Sequence, residues 1–215
     1  KRLYRIDLPV MLFASVLFGL FLYSDSVLNF LEGFCFVVLL SVLTVYLIRY
    51  SQNNDNVSSE INIQQVSLFK MFLYIFFGGV CLYLGSSWLV NGASGIARSM
   101  GVSERIISVS IISFGTSVPE FTASIIAAIK KEKDLSIGNL IGSNIFNVFA
   151  VLGITSMIQP IEVVDKGLIH SDLWWMFGAA LLLYPLMFFF HKRHIGRVEG
   201  SLLFLFYLIY IILLF

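Results

Sequence analysis

Seven apolar segments, each close to the length that crosses a bilayer, constrain the fold of this chain more than any other feature. A transmembrane helix needs about 20 mainly apolar residues. The sequence is 58% hydrophobic and only 13% charged, whereas a soluble domain carries about 25% charged residues. The segments lie at 8–23, 27–48, 68–97, 106–129, 137–158, 173–190 and 198–215. The sequence therefore predicts an all-α, polytopic membrane helix bundle.

A polar stretch divides these segments into two groups. Residues 50–66 are rich in Asn, Ser and Gln and contain no long apolar run, which is typical of a loop. The sequence thus predicts two transmembrane helices in 1–49, a cytoplasmic loop at 50–66 and five helices in 67–215. Glycines in the third segment predict close contacts with neighbouring helices. They are Gly78, Gly79, Gly85, Gly92 and Gly95.

The distribution of Lys and Arg predicts the orientation, because cytoplasmic loops carry an excess of these residues. With the N-terminus in the cytoplasm, eleven of the fourteen Lys and Arg residues fall on the inner side and three on the outer side. The inner ones are Lys1, Arg2, Arg5, Arg49, Lys70, Lys130, Lys131, Lys133, Lys192, Arg193 and Arg197; the outer ones are Arg98, Arg105 and Lys166. An odd number of spans then predicts that the C-terminus lies outside.

Glu120 lies well inside the fourth apolar segment. A carboxylate at that depth costs about 2.5–3.5 kcal/mol on insertion scales and marks a functional site by default. Pro119, immediately before it, has no N–H group and clashes with the carbonyl oxygen four residues back, which belongs to Gly115. The sequence therefore predicts a broken helix with free main-chain oxygens around a buried acid, an arrangement typical of a cation site.

Polar side chains accompany Glu120 in this segment and in the next one. Residues at spacings of three and four share one face of a helix. The first set is Ser113, Thr116, Ser117, Glu120 and Ser124; the second is Asn139, Ser143 and Asn147, with Asn144 adjacent. Two interpretations are open. The hydroxyls and amides can bond to main chain or across a helix crossing. Alternatively, their oxygens converge on a hard cation such as Ca²⁺, which takes six to eight oxygen ligands. The second interpretation also accounts for the acid and the proline.

The sequence gives little support to other chemistry. The net charge of +1 does not predict a nucleic-acid partner. Cys35 and Cys81 lie in apolar runs and are predicted to be small buried side chains. No nucleophile–base pair, P-loop, CxxC or HExxH pattern is present, so neither an enzyme nor a cofactor is predicted.

Two motifs carry a family resemblance. The stretch 115–120 (GTSVPE) followed by 138–147 (GNLIGSNIFN) resembles the α-repeat of the calcium/cation antiporter superfamily, and most of all its prokaryotic sodium/calcium exchanger branch. In that family ten helices form two inverted repeats, each with one such hairpin. The resemblance implies that the seven segments correspond to the fourth to tenth helices, so that 1–49 holds two helices of the first repeat. It also implies that the first three helices, with the opposite hairpin, are missing from this sequence.

The resemblance further implies a set of ligands for Ca²⁺ and Na⁺. The set is Glu120, Thr116, Ser117, Ser113, Ser143 and Asn147. Glu120 would bind both ions, and Ser113 would contribute its main-chain carbonyl. The remaining residues would add hydroxyl, carbonyl or amide oxygens.

Three functional hypotheses follow. The first is a secondary antiporter that exchanges Ca²⁺ for Na⁺ across a lipid bilayer, expected in the bacterial inner membrane. The second is the same fold exchanging Ca²⁺ for H⁺, with Glu120 as the proton carrier, since burial raises the pKa of a carboxyl group. The third is a scaffold or passive channel, which does not need an acid beside a helix-breaking proline.

Overall fold

The computed structural model describes residues 3–54, 67–189 and 196–214, and nearly all of them are helical. The α-helices are α1 Leu8–Asp25, α2 Phe30–Asn54, α3 Leu68–Ser99, α4 Glu104–Ile106, α5 Ser113–Thr116, α6 Val118–Ile129, α7 Lys133–Phe146, α8 Gly153–Ile158, α9 Leu173–Phe189 and α10 Arg197–Leu214. The π-helical segments are π1 Leu3–Asp7, π2 Ile107–Ile112, π3 Asn147–Leu152 and π4 Leu168–Asp172. The all-α fold predicted from the apolar segments is confirmed.

Most of the predicted spans are long and apolar enough to cross a membrane. Within the described residues five helices meet this condition, and a sixth span is formed if the bent pair Glu104–Thr116 and Val118–Ile129 crosses as one. The five are Arg5–Asp25, Phe30–Gln52, Leu68–Ser99, Lys133–Ile158 and Arg197–Leu214. The remaining predicted segment forms α9, which has 17 residues and directly follows π4.

The predicted loop at 50–66 begins later than expected. Helix α2 continues to Asn54, because Arg49, Gln52 and their neighbours are compatible with a helix and neither Gly nor Pro interrupts them. Residues 55–66 of the predicted loop lie outside the described residues.

Of the two free cysteines, Cys35 is partly buried and Cys81 is exposed, so the prediction that both are buried is wrong for Cys81. That side chain belongs to a long helix with few buried residues.

The chain forms two compact units. One unit comprises the described parts of 1–42 and 124–215, and the other comprises those of 43–123. In the first unit α1 packs against α7 and α9. Its core includes Leu8, Phe36 and Phe149, and the rings of Phe36 and Phe149 lie 5.8 Å apart.

Two short strands join loops of the first unit. β1 (Val27–Leu28) follows α1, and β2 (Ile161–Glu162) follows α8. They pair antiparallel, with Val27 opposite Glu162, and Val163 N–H donates to Ser26 O at 2.9 Å. The loops that precede α2 and α9 therefore lie at the same end of this unit, as the predicted topology requires.

The first unit also contains the same local structure twice. π1 ends at Asp7 and leads into α1, and π4 ends at Asp172 and leads into α9; both junctions have the sequence Asp-Leu-x-x-Met. The helices that follow, α2 and α10, both carry a Glu-Gly pair in their first turn. Glu32 Oε2 accepts from Asn29 N–H at 2.7 Å, and Glu199 Oε2 accepts from Gly196 N–H at 2.8 Å. Each glutamate thus satisfies a free amide at the start of its helix, as in a capping box.

Candidate cation-binding site

The helix that carries Glu120 is broken, as Pro119 predicts. Helix α5 ends at Thr116 and α6 begins at Val118. The helical stretch Glu104–Thr116 and the helix Val118–Ile129 are bent by 47° relative to each other. Ser117 forms the joint, with φ −91° and ψ 0°. Pro119 falls in the first turn of α6, where a main-chain N–H has no partner within the helix and its loss costs little.

Hydroxyl groups donate hydrogen bonds to several carbonyl oxygens at this break. The Ser86 hydroxyl of α3 donates to Gly115 O at 2.6 Å. The Thr116 hydroxyl donates to Ile112 O at 3.0 Å and to Ser113 O at 3.1 Å. The sequence predicts free main-chain oxygens at the break, and this prediction is wrong for these three oxygens, which already accept hydrogen bonds. The hydroxyl oxygens of Ser86 and Thr116 act as donors in these bonds and keep their own two lone pairs as acceptors.

Glu120 occupies the first turn of α6. Its side chain is partly buried and its Oε2 atom is shielded from solvent. A carboxylate offers two acceptor oxygens and no donor. An ionised carboxylate is the form that binds a cation.

The predicted ligands in this part of the chain lie close together. Ser113, Thr116, Ser117 and Glu120 all belong to the unit formed by 43–123, within one short stretch of broken helix. The first three are exposed. The structure thus brings together one carboxylate and several neutral oxygens.

Ser143 and Asn147 belong to the other unit. The Ser143 hydroxyl donates to Leu140 O at 3.0 Å. Asn147 is exposed and is the first residue of π3. Their convergence with Glu120 therefore stays a prediction.

The π-helical segments mark both stretches that carry predicted ligands. π2 ends at Ile112, directly before Ser113, and π3 begins at Asn147. Such segments are rare and occur frequently at functional sites. Since no residue type at 107–112 or 147–152 indicates a π-helix, sequence analysis missed this feature.

Other polar residues of the two stripes hold the hairpin of α6 and α7 together. Ser124 is buried, and its carbonyl accepts from the Ser136 hydroxyl at 2.8 Å while its own hydroxyl accepts from Asn139 Nδ2 at 3.0 Å. At the turn Lys131 has φ 65°, and Glu132 N–H donates to Ala127 O at 2.9 Å, which closes α6 in the manner of a Schellman motif. For Ser124 and Asn139 the structural interpretation is correct.

A groove beside the break was also missed by sequence analysis. It has a volume of about 460 Å³ and lies between α3 and the broken helix within one unit. Its lining includes Ser86, Ser87, Asn91, Thr116 and Pro119. The signal in the sequence was the presence of three polar residues close together in a long apolar helix. Among the residues that the structure describes, no three His, Cys, Asp or Glu side chains form a group that could hold a metal ion.

The family of sodium/calcium exchanger proteins matches this chain over residues 70–215, a range that includes every predicted ligand. The chain belongs to the sodium/calcium exchanger family. This family consists of transporters, not enzymes, and the predicted antiporter resemblance is confirmed.

Individual exchangers and related proteins show the same similarity. The proposed antiporter CaxA of Alkalimonas amylolytica is 36% identical over 97% of this chain and 67% of its own length. The sodium/calcium exchanger MaX1 of Methanosarcina acetivorans is 36% identical over 54% of this chain and 33% of its own length. A solved structure of the sodium–calcium exchanger NCX_Mj matches 97% of this chain and 64% of that exchanger, with a TM-score of 0.70 and 22% identity. The chain thus has the exchanger fold and spans about two thirds, or less, of the length of these relatives.

Proposed function

We propose that this chain is part of a secondary antiporter that exchanges Ca²⁺ for Na⁺ across a membrane, with Glu120 as the charged ligand of both ions. The observation that carries the proposal is the position of Glu120, in the first turn after a proline break, in a chain of the exchanger family. Ca²⁺ accepts carboxylate, carbonyl and hydroxyl oxygens together, and these are the groups around the break.

In this proposal Ser113, Thr116 and Ser117 supply neutral oxygens beside Glu120, and Ser143 and Asn147 supply further ones. The exposure of several of these side chains fits a site that is completed by a facing wall. We expect that wall to come from the hairpin of a first repeat, preceding the two helices α1 and α2. The greater length of the relatives supports this expectation.

The proposed mechanism requires only competition and a conformational change. Na⁺ and Ca²⁺ compete for the carboxylate, so that one cannot bind until the other leaves, and the loaded site is then exposed to the opposite face of the membrane. The bilayer would be the inner membrane of a bacterium, with the N-terminal end of this chain in the cytoplasm and its C-terminal end outside.

Replacement of Glu120 tests the proposal. In the complete protein, reconstituted in liposomes, Glu120→Gln should lower the Ca²⁺ affinity about 100-fold or more, because removal of one partner from a desolvated charge pair costs about 3–5 kcal/mol. Na⁺-gradient-driven ⁴⁵Ca²⁺ uptake measures the effect. Glu132→Gln, which removes an exposed carboxylate from the turn after α6, is the matched control. Undiminished exchange in Glu120→Gln would contradict the assignment.

The same liposomes distinguish the coupling ion. At fixed pH on both sides, Ca²⁺ uptake that follows an imposed Na⁺ gradient supports Na⁺ coupling. Uptake that follows an imposed pH gradient in the absence of Na⁺ supports the alternative, in which Glu120 carries the proton. Ca²⁺ movement that needs neither gradient indicates a channel and rules out both antiporters.

A further inference from the structure

We infer that Ser86 is a positioning residue of the cation site, which acts through the main-chain carbonyl of Gly115. The inference rests on the proposed role of Glu120. Its basis is the hydrogen bond of 2.6 Å from the Ser86 hydroxyl to Gly115 O. The two residues are 29 positions apart in sequence, so the bond fixes α3 directly to the broken helix.

The carbonyl of Gly115 accepts hydrogen bonds from two sources, a main-chain N–H at the end of α5 and the hydroxyl of Ser86. In an unbroken helix it would accept a hydrogen bond from the N–H of residue 119, four residues later. Residue 119 is proline, which has no N–H. Gly115 is buried, and the hydroxyl of Ser86 is a side-chain donor to its carbonyl, where an unbroken helix would use the N–H of residue 119.

The helices α3 and α5 are closely packed at this point. A Cβ atom added to Gly115 would lie 2.2 Å from Val90 Cγ2, so the main chain of α5 rests directly on α3. Ser86 and Val90 are one turn apart and share a face of α3. The contact with Val90 fixes the distance between the helices, and the hydrogen bond of Ser86 fixes the direction of the Gly115 carbonyl.

The direction of this carbonyl determines where the proposed ligands lie. The peptide groups of 115–117 form the joint between α5 and α6, and Thr116 and Ser117 belong to it. Glu120 follows in the first turn of α6. A rotation of the Gly115 carbonyl changes the bend and displaces the ligand oxygens relative to one another. Ser86 therefore influences ion binding without touching the ion.

Ion binding in Ser86→Ala tests the inference in the complete protein. We expect the apparent affinities for Ca²⁺ and Na⁺ to fall about three- to tenfold, the equivalent of one hydrogen bond, with normal insertion in the membrane. Ser86→Thr, which keeps the hydroxyl, should restore both affinities. Ser99→Ala is the control, since the hydroxyl of Ser99 lies on the same helix and donates to Ile96 O in its own turn, at 2.7 Å.

A second background separates this role from a general loss of stability. In Pro119→Ala, residue 119 regains an N–H that can donate to Gly115 O. Ser86→Ala should then have little further effect on Ca²⁺ affinity, measured as Ca²⁺-dependent thermal stabilisation of the purified protein. This double variant also keeps the test available if Ser86→Ala alone does not fold.

Three outcomes overturn the inference. The first is wild-type ion affinities in Ser86→Ala, and the second is a lower unfolding temperature with unchanged ion affinities. The third is additivity, in which the losses of Ca²⁺ affinity in Ser86→Ala and Pro119→Ala sum in the double variant. Failure of the proposed function is distinct from these outcomes, because it appears as normal exchange in Glu120→Gln.

Discussion

At Gly33 and Gly153 two helices of the first unit touch through their main chains. A Cβ atom added to Gly33 would lie 2.1 Å from Ser156 Oγ and 2.5 Å from Gly153 O, and one added to Gly153 would lie 3.1 Å from Phe36 Cβ. Small residues permit such close approach between membrane helices. The close packing of α2 against α8 therefore requires glycine at these two positions.

Gly33→Ala is expected to lower the free energy of unfolding by about 1–3 kcal/mol, because an added methyl group must displace main chain in a tightly packed contact. Gly79→Ala in α3 is the matched control. No described atom outside its own helix lies within 4 Å of the position of the added Cβ, and alanine favours a helix over glycine. Denaturant unfolding of the complete protein in detergent measures both variants. Equal effects on stability would contradict the assignment of a close contact at Gly33.

The glycines of α3 show that composition alone does not predict which glycines form close helix contacts. The sequence predicts close helix contacts at Gly78, Gly79, Gly85, Gly92 and Gly95, and this prediction is wrong for the described part of the chain, since an added Cβ meets nothing within 4 Å at any of them. The close contact of α3 instead uses Val90 on this helix and Gly115 on the other. A glycine permits close approach, but the partner helix decides which glycines are used.

At the scale of elements, the hairpin of α6 and α7 divides its polar residues into two groups. Near the turn, Asn139 and Ser136 bond to Ser124 across the hairpin. Further along, Asn147 stands at the start of π3. The spacing of four residues in the sequence identifies the stripe from Asn139 to Asn147, but it cannot tell which amide bonds to a neighbouring helix. The proline break was predictable because Pro lacks an N–H, whereas nothing in the sequence indicates the π-helical segments.

This division predicts opposite effects for two similar substitutions. Asn139→Ala should lower the free energy of unfolding by about 1 kcal/mol, the contribution of one hydrogen bond, and leave the Ca²⁺ affinity unchanged. Asn147→Ala should lower the Ca²⁺ affinity with little effect on unfolding, since its exposed side chain is proposed to face the ion. Unfolding curves and Ca²⁺ titrations of both variants give the comparison. A loss of affinity in Asn139→Ala as large as that in Asn147→Ala would show that both amides serve the ion site.

At the scale of the whole molecule, repetition and loop pairing both support the topology inferred from charge. The repeated order of π-helix, α-helix and capped α-helix, at π1–α1–α2 and at π4–α9–α10, supports the assignment of the first two helices to one repeat and of the last two to another. This repetition was difficult to recognise in the sequence because it rests on few identities, chiefly Asp7 with Asp172 and Glu32 with Glu199. The pairing of β1 with β2 then requires the loops after α1 and α8 to lie on the same side of the bilayer.

The excess of Lys and Arg predicts which side this is, and cysteine labelling tests it. In the complete protein with Cys35→Ala and Cys81→Ala, a cysteine at Val164 lies in the loop after β2, where the side chain is 91% exposed. A cysteine at Glu132 lies in the turn between α6 and α7 and is also exposed. Since only the continuous helix Lys133–Ile158 separates the two loops, they should lie on opposite sides.

A membrane-impermeant maleimide should label Val164→Cys in intact cells and Glu132→Cys only after permeabilisation. We expect this pattern because the lysine-rich turn at 130–133 should lie on the inner side, since positively charged loops are retained in the cytoplasm. The opposite labelling pattern would reverse the orientation but keep the topology. Labelling of both cysteines in intact cells would show that Lys133–Ile158 does not cross the membrane, because a single crossing cannot leave both of its ends on one side.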